Sequence, residues 1–171
     1  MLEIEVKVRV KDLELFRQAL LQSGAEILKE RYPEENTLYD FPTRALFQKK
    51  SALRVRKAGR KVFLAFKGAP QKSRRFKVRE EFETEVKNEK QAHQILQSLG
   101  LAPVFRYQKF RTVFRKGRLK IYLDETAAGD FCEFEGEKNE IVKFAKFLGF
   151  SRADLIKLDY VQLLENTGKK S

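Results

Sequence analysis

Apolar and charged side chains alternate strictly over residues 3–10. The even positions are all apolar, and the odd positions are all charged and read Glu3, Glu5, Lys7 and Arg9. Because successive side chains of a β-strand point to opposite faces, this pattern predicts a strand with one buried face and one charged face. Charged faces of antiparallel sheets are commonly solvated. This strand alone therefore does not show whether its charges line a site.

The same alternation recurs through the chain. It predicts strands over residues 52–57, 61–67, 75–87, 105–115, 118–124 and 131–135. Residues 25–32 and 37–41 are predicted as two more strands, separated by a turn at Pro33 and Asn36, because proline and asparagine favour turns.

Apolar residues at helical spacing predict helices between the strands. One helix follows the N-cap candidate Asp12 and ends at Gly24, and a second follows Asn88 and ends at Gly100. A third is predicted over residues 137–148 and a fourth from Ser151.

Composition narrows the class of protein. The 171 residues, 42% hydrophobic and 35% charged, suit one globular domain over residues 1–171 with a frayed tail at about 166–171. No apolar run approaches the roughly 20 residues that a membrane helix needs, and we expect a cytoplasmic protein. The single Cys132 argues against a disulfide framework or cysteine-based zinc site, and the single His93 against a Ser-His-Asp triad.

The formal net charge of +12 favours an anionic partner such as nucleic acid, anionic lipid or a polyphosphate. Acidic and basic residues are nevertheless sorted by strand. Acidic pairs stand on the first, fourth and last of the clear strands, and basic pairs on the second and fifth. If the strands close into a barrel, these faces would line a tunnel that only water, metal and an anion could fill. A wet sheet face is the alternative.

Six segments resemble motifs of one known family, in the family's order. Glu3-x-Glu5-x-Lys7 resembles the ExExK signature of the CYTH superfamily, the triphosphate tunnel metalloenzymes, which joins class IV adenylyl cyclases and thiamine triphosphatases. The other five segments are residues 53–56, 64–68, 79–83, 109–111 and 123–135. The chain departs from the family at Asp159, where a serine before the tyrosine is frequent.

The resemblance implies an α+β fold, a closed eight-stranded antiparallel β-barrel that forms a tunnel, with flanking helices. It implies that Mg²⁺ or Mn²⁺ is held by Glu3, Glu5, Asp124, Glu133 and Glu135. It implies that phosphate oxygens are bound by Lys7, Arg54, Arg56, Lys67, Arg79, Lys109 and Arg111. Tyr39 and Lys67 are the catalytic candidates, and a packed aromatic is the alternative for Tyr39.

The implied function is a metal-dependent enzyme acting on a small-molecule triphosphate. It would either cyclise ATP to cyclic AMP and pyrophosphate or hydrolyse tripolyphosphate, thiamine triphosphate or a nucleoside triphosphate. The alternative is a basic module that binds nucleic acid or polyphosphate without turnover. We expect neither a membrane nor a nucleic-acid partner, and the sequence leaves a homodimer open.

Overall fold

The computed structural model describes residues 2–168 of the chain. Its eight strands are β1 (Leu2–Val10), β2 (Glu26–Asp40), β3 (Ala52–Ala58), β4 (Lys61–Lys67), β5 (Lys77–Val86), β6 (Ala102–Lys116), β7 (Leu119–Thr126) and β8 (Gly129–Glu135). Its helices are α1 (Leu13–Gln22), α2 (Ala45–Gln48), α3 (Glu89–Ser98), α4 (Lys138–Phe147) and α5 (Tyr160–Gly168), with a 3₁₀ helix at Arg152–Asp154. None of the helices described is long and apolar enough to cross a membrane.

The strands form one closed barrel in the order β1-β5-β4-β3-β2-β6-β7-β8. β8 pairs back to β1 in antiparallel register, so the sheet has no free edge. The predicted α+β class and eight-stranded antiparallel barrel are confirmed.

The predicted turn at Pro33 and Asn36 is wrong, because β2 runs unbroken through both residues. The carbonyl of Pro33 accepts a hydrogen bond from the Gly59 backbone N–H at 3.1 Å, so the missing N–H of proline does not end the pairing with β3. Glu34 and Asn36 are buried, at 1% exposure each. The turn was predicted because these buried polar residues give β2 a composition that is typical of turns.

Two helices begin as their caps predict. The Asp12 carboxylate accepts the Leu15 N–H at 2.9 Å, and the Asn88 side chain accepts the Gln91 N–H at 3.0 Å. Gly24, which follows the first of these helices, has φ +82°, a left-handed conformation that glycine adopts without strain.

The C-terminal helices differ more. The helix predicted over residues 137–148 is observed as α4, but the one predicted from Ser151 is wrong. That segment makes only the 3₁₀ turn, and α5 begins at Tyr160. Of the predicted frayed tail, residues 166–168 belong to α5, and residues 169–171 lie outside the described residues.

The chain divides into two compact units. The first consists mainly of Pro33–Lys72 and Arg79–Gln108, and its core contains Tyr39, Val55, Val62, Leu96 and Leu101. The second consists of Glu3–Tyr32, Ser73–Val78 and the chain from Lys109 onward. Its core joins the apolar faces of five strands to α1 and α4, and includes Val6, Val8, Leu20, Val78, Phe114, Ile121, Cys132, Phe134, Ile141 and Phe144.

Candidate functional site

In the second unit, the strand register gathers charged side chains on the sheet face opposite the core. Lys7 of β1 lies opposite Glu133 of β8, and Arg111 of β6 lies opposite Asp124 of β7. We call the charged residues in mutual contact on this face the Lys7 cluster: Glu5, Lys7, Lys77, Lys109, Arg111, Asp124 and Glu133.

The ammonium of Lys7 lies between two carboxylates of this cluster. Its Nζ is 3.3 Å from Glu5 Oε1 and 2.7 Å from Glu133 Oε2, and all three residues are buried. Burial alone would lower the pKa of Lys7, but the charges of Glu133 and Glu5 raise it well above its ordinary value. Burial would raise the pKa of Glu133, whereas Lys7 and Arg111 hold it well below its usual range. Both groups therefore remain ionised.

Asp124 is fully buried and its carboxylate accepts hydrogen bonds from three side chains. Arg111 donates through Nε to Oδ1 and through Nη2 to Oδ2, each at 2.6 Å, while Lys109 Nζ is 3.1 Å from Oδ2. The Tyr160 hydroxyl donates to the same Oδ2 at 2.5 Å. Burial raises the pKa of Tyr160 well above its ordinary value, so the hydroxyl keeps its proton and donates. Arg111 also bridges to Glu133 at 3.2 Å.

A second charged group lies on the strands of the first unit. Arg54 of β3 lies opposite Ala65 of β4, which lies opposite Glu83 of β5, and Lys67 lies opposite Glu81. We call this group the Arg54 cluster: the ion-paired Glu34, Arg54, Arg56, Lys67, Glu81 and Glu83, together with Arg79, which lies on the same face of β5 as Glu81 and Glu83.

Its cations are only partly neutralised by their carboxylates. Arg56 is 3.3 Å from Glu34 and 2.7 Å from Glu83. Lys67 is 3.3 Å from Glu81, and the contacts of Arg54 with Glu81 and Glu83 are longer, at 3.7 and 3.9 Å. The ion-pair contacts of Arg54 are thus longer than those of Arg56 and Lys67. Burial acts to lower the pKa of Arg54, but Tyr107, Glu34, Glu81 and Glu83 together raise it above the ordinary value.

Three guanidinium groups of the Arg54 cluster carry buried donors without an acceptor. Over the described residues 2–168, the Nε atoms of Arg54, Arg56 and Arg79 are buried and have no hydrogen-bond partner. A buried N–H without an acceptor costs about 1–3 kcal/mol, and more when the donor is charged. An anion that supplied oxygen atoms would satisfy these donors.

Tyr39 lies away from these charges. It pairs with Leu53 on the opposite face of β3 from Arg54 and belongs to the hydrophobic core of the first unit, at 3% exposure. Its hydroxyl is 2.5 Å from His93 Nδ1. The structure thus brings Tyr39 to a packed position under α3, whereas the other catalytic candidate, Lys67, lies within the Arg54 cluster.

The remaining predicted acidic residues stand at the edge of the Lys7 cluster. Glu135 lies opposite Glu5, and its carboxylate accepts from Lys120 at 3.1 Å and from the Tyr122 hydroxyl at 2.8 Å. Glu3 precedes Glu5 on the charged side of β1 and is half-buried.

Sequence reasoning missed Glu34 and Tyr160, and it placed Lys77 on the charged face of its strand without giving it a role in the site. Glu34 would have been found had residues 26–40 been interpreted as one strand, since its alternation with Asn36 continues along β2. Lys77 had a signal, because it alternates with apolar residues on β5. No periodicity points to Tyr160, which contacts Asp124 across 36 residues of sequence.

The carboxylates of the Lys7 cluster supply the oxygen ligands that Mg²⁺ and Mn²⁺ prefer. In the described part of the chain, no three His, Cys, Asp or Glu side chains converge closely enough to hold a metal ion. The Lys7 ammonium separates Glu5 from Glu133 instead. The donor chemistry of Glu5 and Glu133 fits a divalent cation, which these carboxylates would hold.

Two proteins provisionally named adenylate cyclases are similar to this chain over nearly its whole length. A protein of Methanocaldococcus jannaschii, provisionally named an adenylate cyclase, is 26% identical over 174 residues, covering 95% of this chain and 98% of the relative. The crystal structure of a protein of Vibrio parahaemolyticus, also provisionally named an adenylate cyclase, has a TM-score of 0.81 at 25% identity, covering 96% and 98%.

A third similarity concerns the fold alone. A Hippeastrum protein, provisionally named an adenylyl cyclase and described as having a dominant triphosphatase activity, has a TM-score of 0.63 at 21% identity, covering 86% of this chain and 87% of that one. The profile of the CYTH domain matches residues 1–149. With that match and a closed eight-stranded barrel carrying charged clusters, the chain belongs to the CYTH domain family.

Proposed function

We propose that this protein is a divalent-metal-dependent enzyme that binds the triphosphate of a small molecule and breaks one of its phosphoanhydride bonds. The observation that carries the proposal is the set of buried guanidinium donors without acceptors on Arg54, Arg56 and Arg79. Arginine forks match phosphate oxygens in geometry and charge, so a triphosphate supplies the kind of acceptor that these donors lack.

The Lys7 cluster supports the same chemistry. Three of its four basic groups, Lys7, Lys109 and Arg111, are buried beside carboxylates that orient them. Cations fixed in a site of low dielectric stabilise negative charge that develops on phosphoryl oxygens, without reorganising during the reaction. We propose Lys7, Lys109, Arg111 and Lys67 as further phosphate ligands.

Family membership implies a divalent metal ion, and we propose Mg²⁺ or Mn²⁺. Glu5 and Glu133 would hold it, with Glu3 and Glu135 as neighbouring oxygen donors. When bound, such an ion neutralises charge on the phosphate oxygens. Asp124 is a weaker candidate, because both of its oxygens already accept hydrogen bonds from Arg111 and its Oδ2 from Lys109 and Tyr160.

Two reactions share this site chemistry. In hydrolysis, water attacks the terminal phosphorus and orthophosphate is released. In cyclisation, the ribose 3′-hydroxyl of ATP attacks the α-phosphorus and pyrophosphate leaves. The provisional cyclase names of the M. jannaschii and V. parahaemolyticus proteins favour cyclisation, and the description of the Hippeastrum protein favours hydrolysis.

The test supplies purified protein with ATP, thiamine triphosphate or tripolyphosphate, and with Mg²⁺, Mn²⁺ or EDTA. Cyclic AMP and pyrophosphate in equal amounts would identify a cyclase, and orthophosphate without cyclic AMP would identify a triphosphatase. Absence of turnover and of binding over the whole panel would contradict the proposal.

Two variants, one in each cluster, test whether the clusters are required for activity. Glu5→Gln and Lys67→Ala should each abolish turnover while the far-UV circular dichroism spectrum stays native. Arg17→Gln is the matched control, because it removes an exposed ion pair with Glu30 on the outside of the second unit. Near-normal turnover in both cluster variants would exclude these residues from the site.

A further inference from the structure

The segment between the 3₁₀ helix and α5 lies along the Lys7 cluster. The Lys7 N–H donates to the Ile156 carbonyl at 2.9 Å, and the Ile156 N–H donates to the Lys7 carbonyl at 2.7 Å, which makes a two-way bridge to β1. Three residues further on, the Asp159 carboxylate is 3.5 Å from Lys77 Nζ. Two successive contacts therefore fix the position at which Tyr160 begins α5.

Tyr160 contacts the cluster with both parts of its side chain. The hydroxyl donates to Asp124 Oδ2, while the ring lies under two ammonium groups. Lys7 Nζ is 4.9 Å and Lys109 Nζ is 4.4 Å from the ring centroid, within the range of a cation–π contact. At 5% exposure, the residue makes these contacts away from bulk water.

Asp124, whose carboxylate is held by the Tyr160 hydroxyl, in turn orients two basic residues, Lys109 and Arg111. A carboxylate has about four acceptor positions, and the observed donors are the two nitrogens of Arg111, Lys109 Nζ and the Tyr160 hydroxyl. The bidentate contact sets the plane of the Arg111 guanidinium. Tyr160 is the one neutral donor among them, so it orients the carboxylate without competing for phosphate.

We propose that Tyr160 is a positioning residue for phosphate binding, which acts through Asp124 to hold Lys109 and Arg111 in the orientation that receives the triphosphate. This inference rests on the proposed function. It gives Asp124 an orienting role in place of the metal-binding role expected from the family resemblance.

A double-mutant cycle tests the inference directly. Tripolyphosphate is titrated by calorimetry, once with EDTA and once with Mg²⁺, into wild type, Tyr160→Phe, Asp124→Asn and the double variant. Tyr160→Phe removes the hydroxyl and keeps the ring, and we expect the affinity to fall about tenfold, as for a lost hydrogen bond to a charged group. In the Asp124→Asn background the same change should have less than about a twofold effect, because the hydroxyl acts through Asp124.

Leu163→Ala is the control for a purely structural effect. Leu163 is buried on the same helix and apolar, so its truncation weakens α5 without touching Asp124. We expect a lower thermal unfolding midpoint but an affinity within about twofold of wild type, as for a site without shared partners. Tyr160→Leu should weaken binding more than Tyr160→Phe, since it also removes the ring beneath Lys7 and Lys109.

The outcomes separate this inference from the proposed function. If wild type binds tripolyphosphate and Tyr160→Phe binds equally well, or the two changes are additive, only the positioning role is overturned. If wild type binds no tripolyphosphate in either buffer, both the proposed function and the positioning role of Tyr160 are overturned.

Discussion

The buried ammonium of Lys7 forms ion pairs with two carboxylates, those of Glu5 and Glu133. Lys7→Met would leave both carboxylates buried with less positive charge nearby, and breaking a buried ion pair costs about 3–5 kcal/mol. We expect the free energy of unfolding, measured in urea at pH 7, to fall by about that amount. Adding Glu133→Gln should restore part of the loss, since one of the two buried carboxylates that contacted Lys7 then carries no charge.

Lys61→Met provides the comparison, because the ion pair of Lys61 with Glu85 has a similar length, 2.9 Å, but is exposed. Its loss should cost less than about 1 kcal/mol. Equal losses of unfolding free energy in the Lys7 and Lys61 variants would show that burial does not increase the contribution of the Lys7 ion pairs to stability.

At the scale of the element, α2 depends on a single carboxylate. Asp40, at the end of β2, accepts backbone N–H groups of Phe41 at 2.7 Å and of Leu46 and Phe47 at 2.9 Å. Burial acts to raise the pKa of Asp40, but the three N–H groups lower it below its ordinary value. A carboxyl group whose pKa is lower in the folded state stabilises the fold above its unfolded pKa. That stabilisation is lost as the pH falls through the folded pKa.

We therefore expect Asp40→Asn to lower the free energy of unfolding by about 1–3 kcal/mol at pH 7. The difference from wild type should begin to shrink as the pH falls below about 4, the ordinary pKa of an aspartate in the unfolded chain, and should be lost only below the lowered pKa of folded Asp40. Urea titrations at pH 7 and pH 3 measure both values. Asp12→Asn is the control at a helix start, since asparagine caps as well as aspartate, and it should change stability little.

At the level of whole strands, alternation predicted β1, β3, β4, β7 and β8 because apolar residues recur at every second position along one face of each. It failed for β2, where the inward face carries Glu34 and Asn36 and hydrophobicity no longer marks the buried side. The fold was therefore predictable wherever a core of Val, Leu, Ile and Phe fixed the register.

Much of the candidate site followed from the same faces, since a fully charged strand face in a barrel needs a ligand. Contacts through irregular segments did not follow. Nothing in the spacing of Ile156, Asp159 and Tyr160 shows that this stretch lies against β1 and Asp124. Such contacts depend on tertiary packing alone.

For the molecule as a whole, the net charge of +12 attracts anions of many kinds. Anion binding therefore tests the proposed function only if the protein binds triphosphate in preference to other anions. Tripolyphosphate with Mg²⁺ at about 100 times its dissociation constant should stabilise the protein by about 2.7 kcal/mol, because a ligand that binds only the native state adds to the free energy of unfolding. For a chain of this size we expect a rise in melting temperature of about 5–10 °C. Differential scanning fluorimetry would measure it.

A basic surface without a specific site would respond differently. Arg54→Met and Arg56→Met should each lose most of the shift, whereas Arg17→Gln should keep it, because the ion pair of Arg17 is with the exposed carboxylate of Glu30, outside both clusters. Inorganic phosphate at equal charge concentration should give a much smaller shift, since it reaches fewer cations. A shift that duplex DNA reproduced, that needed no Mg²⁺ and that collapsed between 50 and 200 mM salt, the approximate range for counterion release, would instead indicate a nucleic-acid-binding surface.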